Sequence, residues 1–122
     1  MRIWLDDLRC PSLFGRSGFV WVKSAVETIN LLNYETVTFL SLDHDLSPQQ
    51  YDIHSRDLDD SDYKIDTGLA VIQWMKKNNI IPRDGLEIHT GNTMKRLEMV
   101  NLARTFIPDD KVFVKIYQRS VN

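Results

Sequence analysis

The chain has 122 residues, 43% hydrophobic and 26% charged, with a formal net charge of −2. That length is one domain, large enough to bury a core without disulfide or metal staples, and the charge gives no reason to expect sequence-independent binding to a phosphate backbone. The single cysteine, Cys10, excludes an intrachain disulfide and fits a reducing compartment. No apolar run approaches membrane-spanning length, and a start carrying Trp4, Asp6 and Asp7 is neither a signal nor a transit peptide. The expectation is a soluble cytoplasmic protein, one domain over 1–122, with no membrane partner.

In chain order, residues 2–5 read as a short apolar strand. Residues 8–18 hold Pro11, Gly15 and Gly18 without helical periodicity and read as a loop. Phe19 to Val22, aromatic and β-branched, is a second strand. Ser24 with Glu27 three residues on has capping-box spacing, and Ala25, Ile29 and Leu32 give a helical stripe, so the pattern predicts a helix over 24–33. Val37 to Leu42 is the third strand. Residues 47–66 are polar and acidic, long for a compact domain, as functional lids and insertions are. Asp66 or Thr67 then caps a helix running to about Asn78. Leu86 to His89 is the fourth strand, Asn92 or Thr93 opens a third helix that Pro108 ends, and Lys111 to Tyr117 is the fifth strand. Alternating strands and helices imply an α/β protein with a mostly parallel sheet and right-handed crossovers.

Three of these strands end in chemistry. Arg2-Ile3-Trp4-Leu5 runs into Asp6-Asp7, Phe39-Leu40-Ser41-Leu42 into Asp43-His44-Asp45, and Leu86-Glu87-Ile88 into His89-Thr90. In open α/β sheets the ligand crevice lies beyond the carboxyl ends of the strands, so these tips are the candidate site.

The ordered set resembles a receiver domain: an acidic pair after strand 1, an aspartate ending strand 3, a hydroxyl residue ending strand 4 and a lysine on strand 5, matched here by Asp6-Asp7, Asp43, Thr90 and Lys115. More closely, the chain resembles the cyclic-phosphate processing receiver domain family. It carries Trp4-Leu5-Asp6-Asp7-x-Arg9-x-Pro11, Trp21-Val22-Lys23, Ser41-Leu42-Asp43-His44-Asp45-Leu46, Thr67-Gly68 and His89-Thr90-Gly91-Asn92. The resemblance implies a flavodoxin-like five-stranded parallel sheet in order 2-1-3-4-5, and phosphate chemistry on cyclic phosphates of RNA ends or nucleotides. Ordinary receivers lack His44, Asp45 and His89 in those slots. Lys115 is followed by Ile116 rather than the usual proline, and Lys111 competes for its place. The first and last receiver helices are missing, so the three remaining helices should share one sheet face. The other face would be bare, or covered by the 8–18 loop, the acidic insertion or a partner chain. Trp4 would add an apolar patch there, and a homodimer could bury it.

Three carboxylates at adjacent tips, Asp6, Asp7 and Asp43, repel one another in a partly dry crevice unless a cation neutralises them; hard oxygen ligands suit Mg²⁺ or Mn²⁺. An isolated aspartate pair would otherwise only cap or solvate a loop. With Asp43 as a shared residue, the catalytic candidates are Asp43, His44, Asp45 and His89. An imidazole beside a metal-held phosphate can move protons near neutral pH, whereas the bland alternatives are a surface turn for His44-Asp45 and a half-exposed histidine on the open face for His89. Arg9, Thr90, Asn92 and Lys115 are the candidate phosphate-binding residues. A structural salt bridge is the rival role for Arg9, and a helix cap the rival for Asn92. The acidic insertion, with Asp57, Asp59 and Asp62, fails the EF-hand pattern because it has neither the turn glycine nor the closing glutamate.

Three functions remain open: a metal-dependent phosphoesterase acting on a phosphate-containing small molecule or RNA end, a signalling receiver phosphorylated on Asp43, and a non-catalytic protein-binding module.

Overall fold

A computed structural model describes residues 1–46 and 66–117. Most of the acidic insertion, with the lid and calcium readings placed on it, lies outside the described residues, as does the chain beyond Tyr117. The strands are β1 (Arg2–Leu5), β2 (Val20–Val22), β3 (Phe39–Leu42), β4 (Gly85–Ile88) and β5 (Val112–Val114). They form one sheet in order 2-1-3-4-5, every neighbouring pair parallel. Among the described residues the helices are α1 (Ala25–Tyr34), α2 (Gly68–Lys77) and α3 (Thr93–Arg104).

The helix starts follow side-chain chemistry. Ser24 Oγ accepts from the Glu27 N–H at 3.1 Å, Thr67 Oγ1 from Ala70 at 3.0 Å, and Asn92 Oδ1 from Lys95 at 3.1 Å. Each satisfies an N–H that the helix itself leaves unpaired. Asp66 does not cap α2. Its Oδ1 accepts from the Ala25 N–H at 3.2 Å, tying the approach to α2 onto the start of α1. The strands are shorter than the apolar runs: Val37, Thr38 and the residues from Lys115 to Tyr117 fall outside the ladder.

Period-two alternation sorts each strand between the two faces. Ile3, Leu5, Leu40, Leu42, Leu86 and Ile88 pack with Val71, Ile72, Met75, Met99 and Val100 of the helices into the apolar core. The opposite face carries Trp4, Ser41, Glu87 and His89, all buried. Chain handedness explains the division. The step from β1 to β2 runs one way across the sheet and the steps from β2 through β5 run the other. Right-handed crossovers therefore put the 8–18 connector on the face away from all three helices.

That connector is not wholly irregular. Pro11–Phe14 forms a single 3₁₀ turn, begun by a proline whose fixed φ and missing N–H suit a helix start. Phe14 stacks on Trp4 with centroids 6.1 Å apart, and the Tyr117 ring meets Trp4 edge-on at 5.7 Å. Trp4 is thereby fully buried. Of the covers expected for this face, the 8–18 segment is the one observed, joined by Tyr117; Trp4, expected to add an apolar patch there for a dimer to bury, lies beneath them instead.

Candidate functional site

The strand order reverses between β1 and β3, which opens a crevice at their carboxyl ends. Asp6 and Asp7 follow β1 and Asp43 follows β3. One carboxylate oxygen from each lies within 4.8 Å of the others. Asp6 is fully buried, Asp43 nearly so, and Asp7 half-buried.

Asp6 is held on both oxygens. Oδ1 accepts from the backbone N–H groups of Leu8 and Arg9 at 2.9 and 2.8 Å; Oδ2 takes Arg9 Nε at 2.8 Å and His89 Nε2 at 3.1 Å. Burial alone would raise its pKa, but the His89 bond, the two backbone donors and the Arg9 charge outweigh burial and hold it below the usual carboxylate value. Two indoles fix the same turn: Trp4 Nε1 donates to the Arg9 carbonyl at 2.8 Å and Trp21 Nε1 to the Asp6 carbonyl at 2.7 Å. Asp43 has the opposite balance. Its Oδ1 accepts from the His44 N–H at 2.8 Å, and Oδ2 lies 3.5 Å from Arg9 Nη2. Burial first, then the Asp6 charge, push its pKa up. Arg9 thus spans Asp6 and Asp43, standing where a cation is needed.

His44 and Asp45, adjacent in sequence, are also in contact. His44 Nδ1 is 2.8 Å from Asp45 Oδ1, with the histidine buried and the aspartate exposed. Asn92 reaches the same group, its Nδ2 3.4 Å from Asp45 Oδ2, while its Oδ1 serves as the α3 cap. Asp45 also pairs with Thr67 in an isolated antiparallel bridge. Gly68 allows this closeness: a Cβ there would sit 1.9 Å from the Asp43 carbonyl oxygen and 2.8 Å from Met99 Cε. Thr90 is buried, with Oγ1 accepting from the Asn92 N–H at 3.1 Å. Lys115 stands at the site's end of the sheet, its N–H donating to the Ile88 carbonyl at 3.0 Å and its amine 5.9 Å from the Tyr117 ring centroid. Lys111 is at the other end, on the Arg83 carbonyl.

His89 is neither half-exposed nor open to a ligand. It is buried and stacked flat on Trp4 at 4.0 Å, with Nε2 on Asp6 and Nδ1 2.7 Å from Ser41 Oγ. Ser41 Oγ in turn donates to Glu87 Oε1 at 2.6 Å. Glu87 is ion-paired to Arg16 of the covering segment, and Arg16 Nε donates to the Tyr117 hydroxyl at 3.1 Å. Ser41–His89–Asp6 has the connectivity of a hydrolase triad, but Ser41 is fully buried beneath the cover, so no substrate carbon or phosphorus reaches it.

The model of the cyclic-phosphate processing receiver domain family matches residues 1–105. The chain belongs to that family. The match takes in every candidate residue except Lys115, whose place rests on the fold. Among solved structures, the receiver domain of the Francisella response regulator 1452 is similar with a TM-score of 0.58 at 14% identity, over 93% of this chain and 82% of that one; at that identity the likeness shows the fold. A comparison with curated proteins finds no match.

On this receiver-like frame the tips bring together Asp6, Asp7, Asp43 and Arg9 as one group and His44, Asp45 and Asn92 as a second. Sequence reasoning missed Ser41, Glu87, Arg16 and Tyr117. The available signal was period two: Ser41 and Glu87 are polar positions between apolar neighbours in buried strands. The donor set fits a hard divalent cation, since three carboxylates converge and burial with the Asp6 charge raises the pKa of Asp43. No helix among the described residues is long and apolar enough to cross a membrane.

Proposed function

We propose that this cyclic-phosphate processing receiver domain is a divalent-metal-dependent phosphoesterase whose substrates are cyclic phosphates on RNA ends or nucleotides. The observation that carries the reading is the convergence of Asp6, Asp7 and Asp43 oxygens within 4.8 Å at the switch point of the sheet. Mg²⁺ or Mn²⁺ held by these three would polarise a phosphoryl oxygen of the substrate. Arg9, already against Asp6 and Asp43, has the fork geometry to take equatorial phosphate oxygens as negative charge builds on them. Asp45 on Nδ1 orients the His44 ring and leaves Nε2 to take or return a proton at a substrate oxygen. Thr90 and Lys115 complete the rim, and Asn92 holds Asp45. His89, shut beneath Asp6, positions that carboxylate and does not exchange protons with substrate.

The test is a time course on 2′,3′-cyclic nucleotides and on RNA bearing a terminal cyclic phosphate, with Mg²⁺, with Mn²⁺ and with chelator. Ring opening that requires metal and is lost in Asp43→Asn and His44→Asn is the expected result; full hydrolysis by Asp43→Asn would overturn the mechanism. A second reading, phosphorylation on Asp43 as in a signalling receiver, is favoured by the placement of Asp43, Thr90 and Lys115 at the ends of β3, β4 and β5. A stoichiometric beryllofluoride adduct at Asp43 without turnover would select it.

A further inference from the structure

Four polar side chains, Ser41, Glu87, His89 and Asp6, form one buried chain on the sheet face away from the helices. Polar groups in such a place are costly unless each is satisfied. An apolar residue at position 41 or 87 would fill the same strand positions without that cost. The retained polarity runs in a line from the covering segment to the carboxylate pocket: Arg16 and Tyr117 at one end, Asp6 at the other. Strand register builds the line. Ser41 is paired with Glu87 across β3 and β4, and with Trp4 across β1 and β3. His89 is two residues beyond Glu87 on the same face.

We infer that Glu87 is a positioning residue of the carboxylate pocket: through Ser41 and His89 it fixes the orientation of Asp6 toward a bound divalent cation. The inference rests on the metal-centred reading above and deepens it. Ser41 has one proton and two lone pairs. With Glu87 Oε1 at 2.6 Å the proton goes to the carboxylate, and this presents an Oγ lone pair to His89 Nδ1 at 2.7 Å. With both ring nitrogens donating, Nδ1–H to Ser41 and Nε2–H to Asp6, the ring is fixed at both ends and by stacking on Trp4. It cannot turn without breaking a bond to Ser41 or Asp6. Asp6 Oδ2 is held in turn, so the edge it offers toward Asp7 and Asp43 is set from beneath. Outer partners of this kind orient metal-binding carboxylates, and their loss typically costs 10–100-fold in metal affinity.

The test is Mn²⁺ and Mg²⁺ affinity by calorimetry on the full chain, with the melting temperature of each metal-free variant measured alongside. Glu87→Gln and Glu87→Met both remove the charge and the Arg16 ion pair, but only Gln keeps an oxygen for Ser41. The expected result is affinity within about threefold of the parent for Glu87→Gln and a loss of about tenfold for Glu87→Met. Ser41→Ala should lose as much as Glu87→Met, and the double variant no more than either single one, because one path is cut once. Parental affinity in folded Ser41→Ala would overturn the inference even if Glu87→Met fails to fold. Equal losses in Glu87→Gln and Glu87→Met would also overturn it, in favour of a through-space charge effect. Failure of the parent protein to bind either metal would overturn the metal-centred reading as well, which separates the two failures.

Discussion

Replacing Asp43 by asparagine should make the metal-free protein more stable. Asp43 lies with its oxygen within 4.8 Å of those of Asp6 and Asp7, and 3.5 Å from Arg9 Nη2. At an effective dielectric of about 20, each like-charge pair costs about 3.5 kcal/mol and the arginine returns about 4.7 kcal/mol. Two repulsions against the arginine leave a penalty of about 2 kcal/mol, which His89 reduces and the desolvation of a nearly buried carboxylate increases. Solvent around half-buried Asp7 reduces this, so a gain of about 1–2 kcal/mol is expected, or roughly 3–8 °C in melting temperature for a domain of this size. Asparagine keeps the oxygen that accepts from the His44 N–H, so no hydrogen bond is lost with the charge. Burial and the Asp6 charge raise Asp43 in the folded protein, so the unfolded chain releases this proton first as pH rises. The advantage of Asp43→Asn is therefore absent below the ordinary carboxylate value of 3.8. It grows as pH climbs through the raised folded value and is complete above it. Urea denaturation in chelator at several pH values measures it. A variant no more stable than the parent at pH 7.5 would refute the reasoning; added Mg²⁺ should stabilise the parent and not the variant.

Asp6→Asn should have the opposite sign, losing roughly 2–3 kcal/mol at neutral pH in the same urea assay, because it strips the carboxylate that answers the Arg9 charge and accepts from His89 in a buried site. Since Asp6 is held below its ordinary value, its contribution is present above that value and is lost as pH falls through the depressed one; acid titration of the parent against Asp6→Asn should converge there. Gly68→Ala should cost at least about 2 kcal/mol and disturb metal binding by calorimetry, since its Cβ would strike the Asp43 carbonyl at 1.9 Å. Asn92→Ala should cost about 1 kcal/mol through the lost α3 cap, read from the urea midpoint at unchanged slope.

The sheet and its polar edge were legible because the strands are apolar runs that stop at charged or polar residues, and because Ser24, Thr67 and Asn92 mark helix starts by their own chemistry. Strand ends give position along the chain, which is enough to gather Asp6, Asp7 and Asp43. The other face was legible only in part: the 8–18 segment was among its expected covers, but not the residues that do the covering. The sequence shows Trp4 as an apolar residue on a face without helices, bare or covered, and does not say by which side chains. Its cover comes from Phe14 and Tyr117, one from each end of the chain, and no local pattern pairs them. Ser41 and Glu87 look like interruptions of apolar strands until the register sets them opposite each other, and only then does His89 acquire a partner behind it. Arg9 was readable as either clamp or salt bridge; the fold shows it against two carboxylates at once, which is the salt bridge, and the clamp belongs to the proposed function. Lys111 and Lys115 could be told apart only once β5 was aligned with β4, which sends them to opposite ends of the sheet.

The bridge between Asp45 and Thr67 works as a clasp at the rim of the pocket. It joins the last residues of the β3 tip to the cap of α2, so the chain leaving Leu46 and the chain arriving at Asp66 are held together by the scaffold itself. A segment hung on such a clasp is exchangeable: doubling its length adds only about 0.6 kcal/mol of closure entropy. Sequences of different length and charge can therefore be carried at this point without redesign of the sheet.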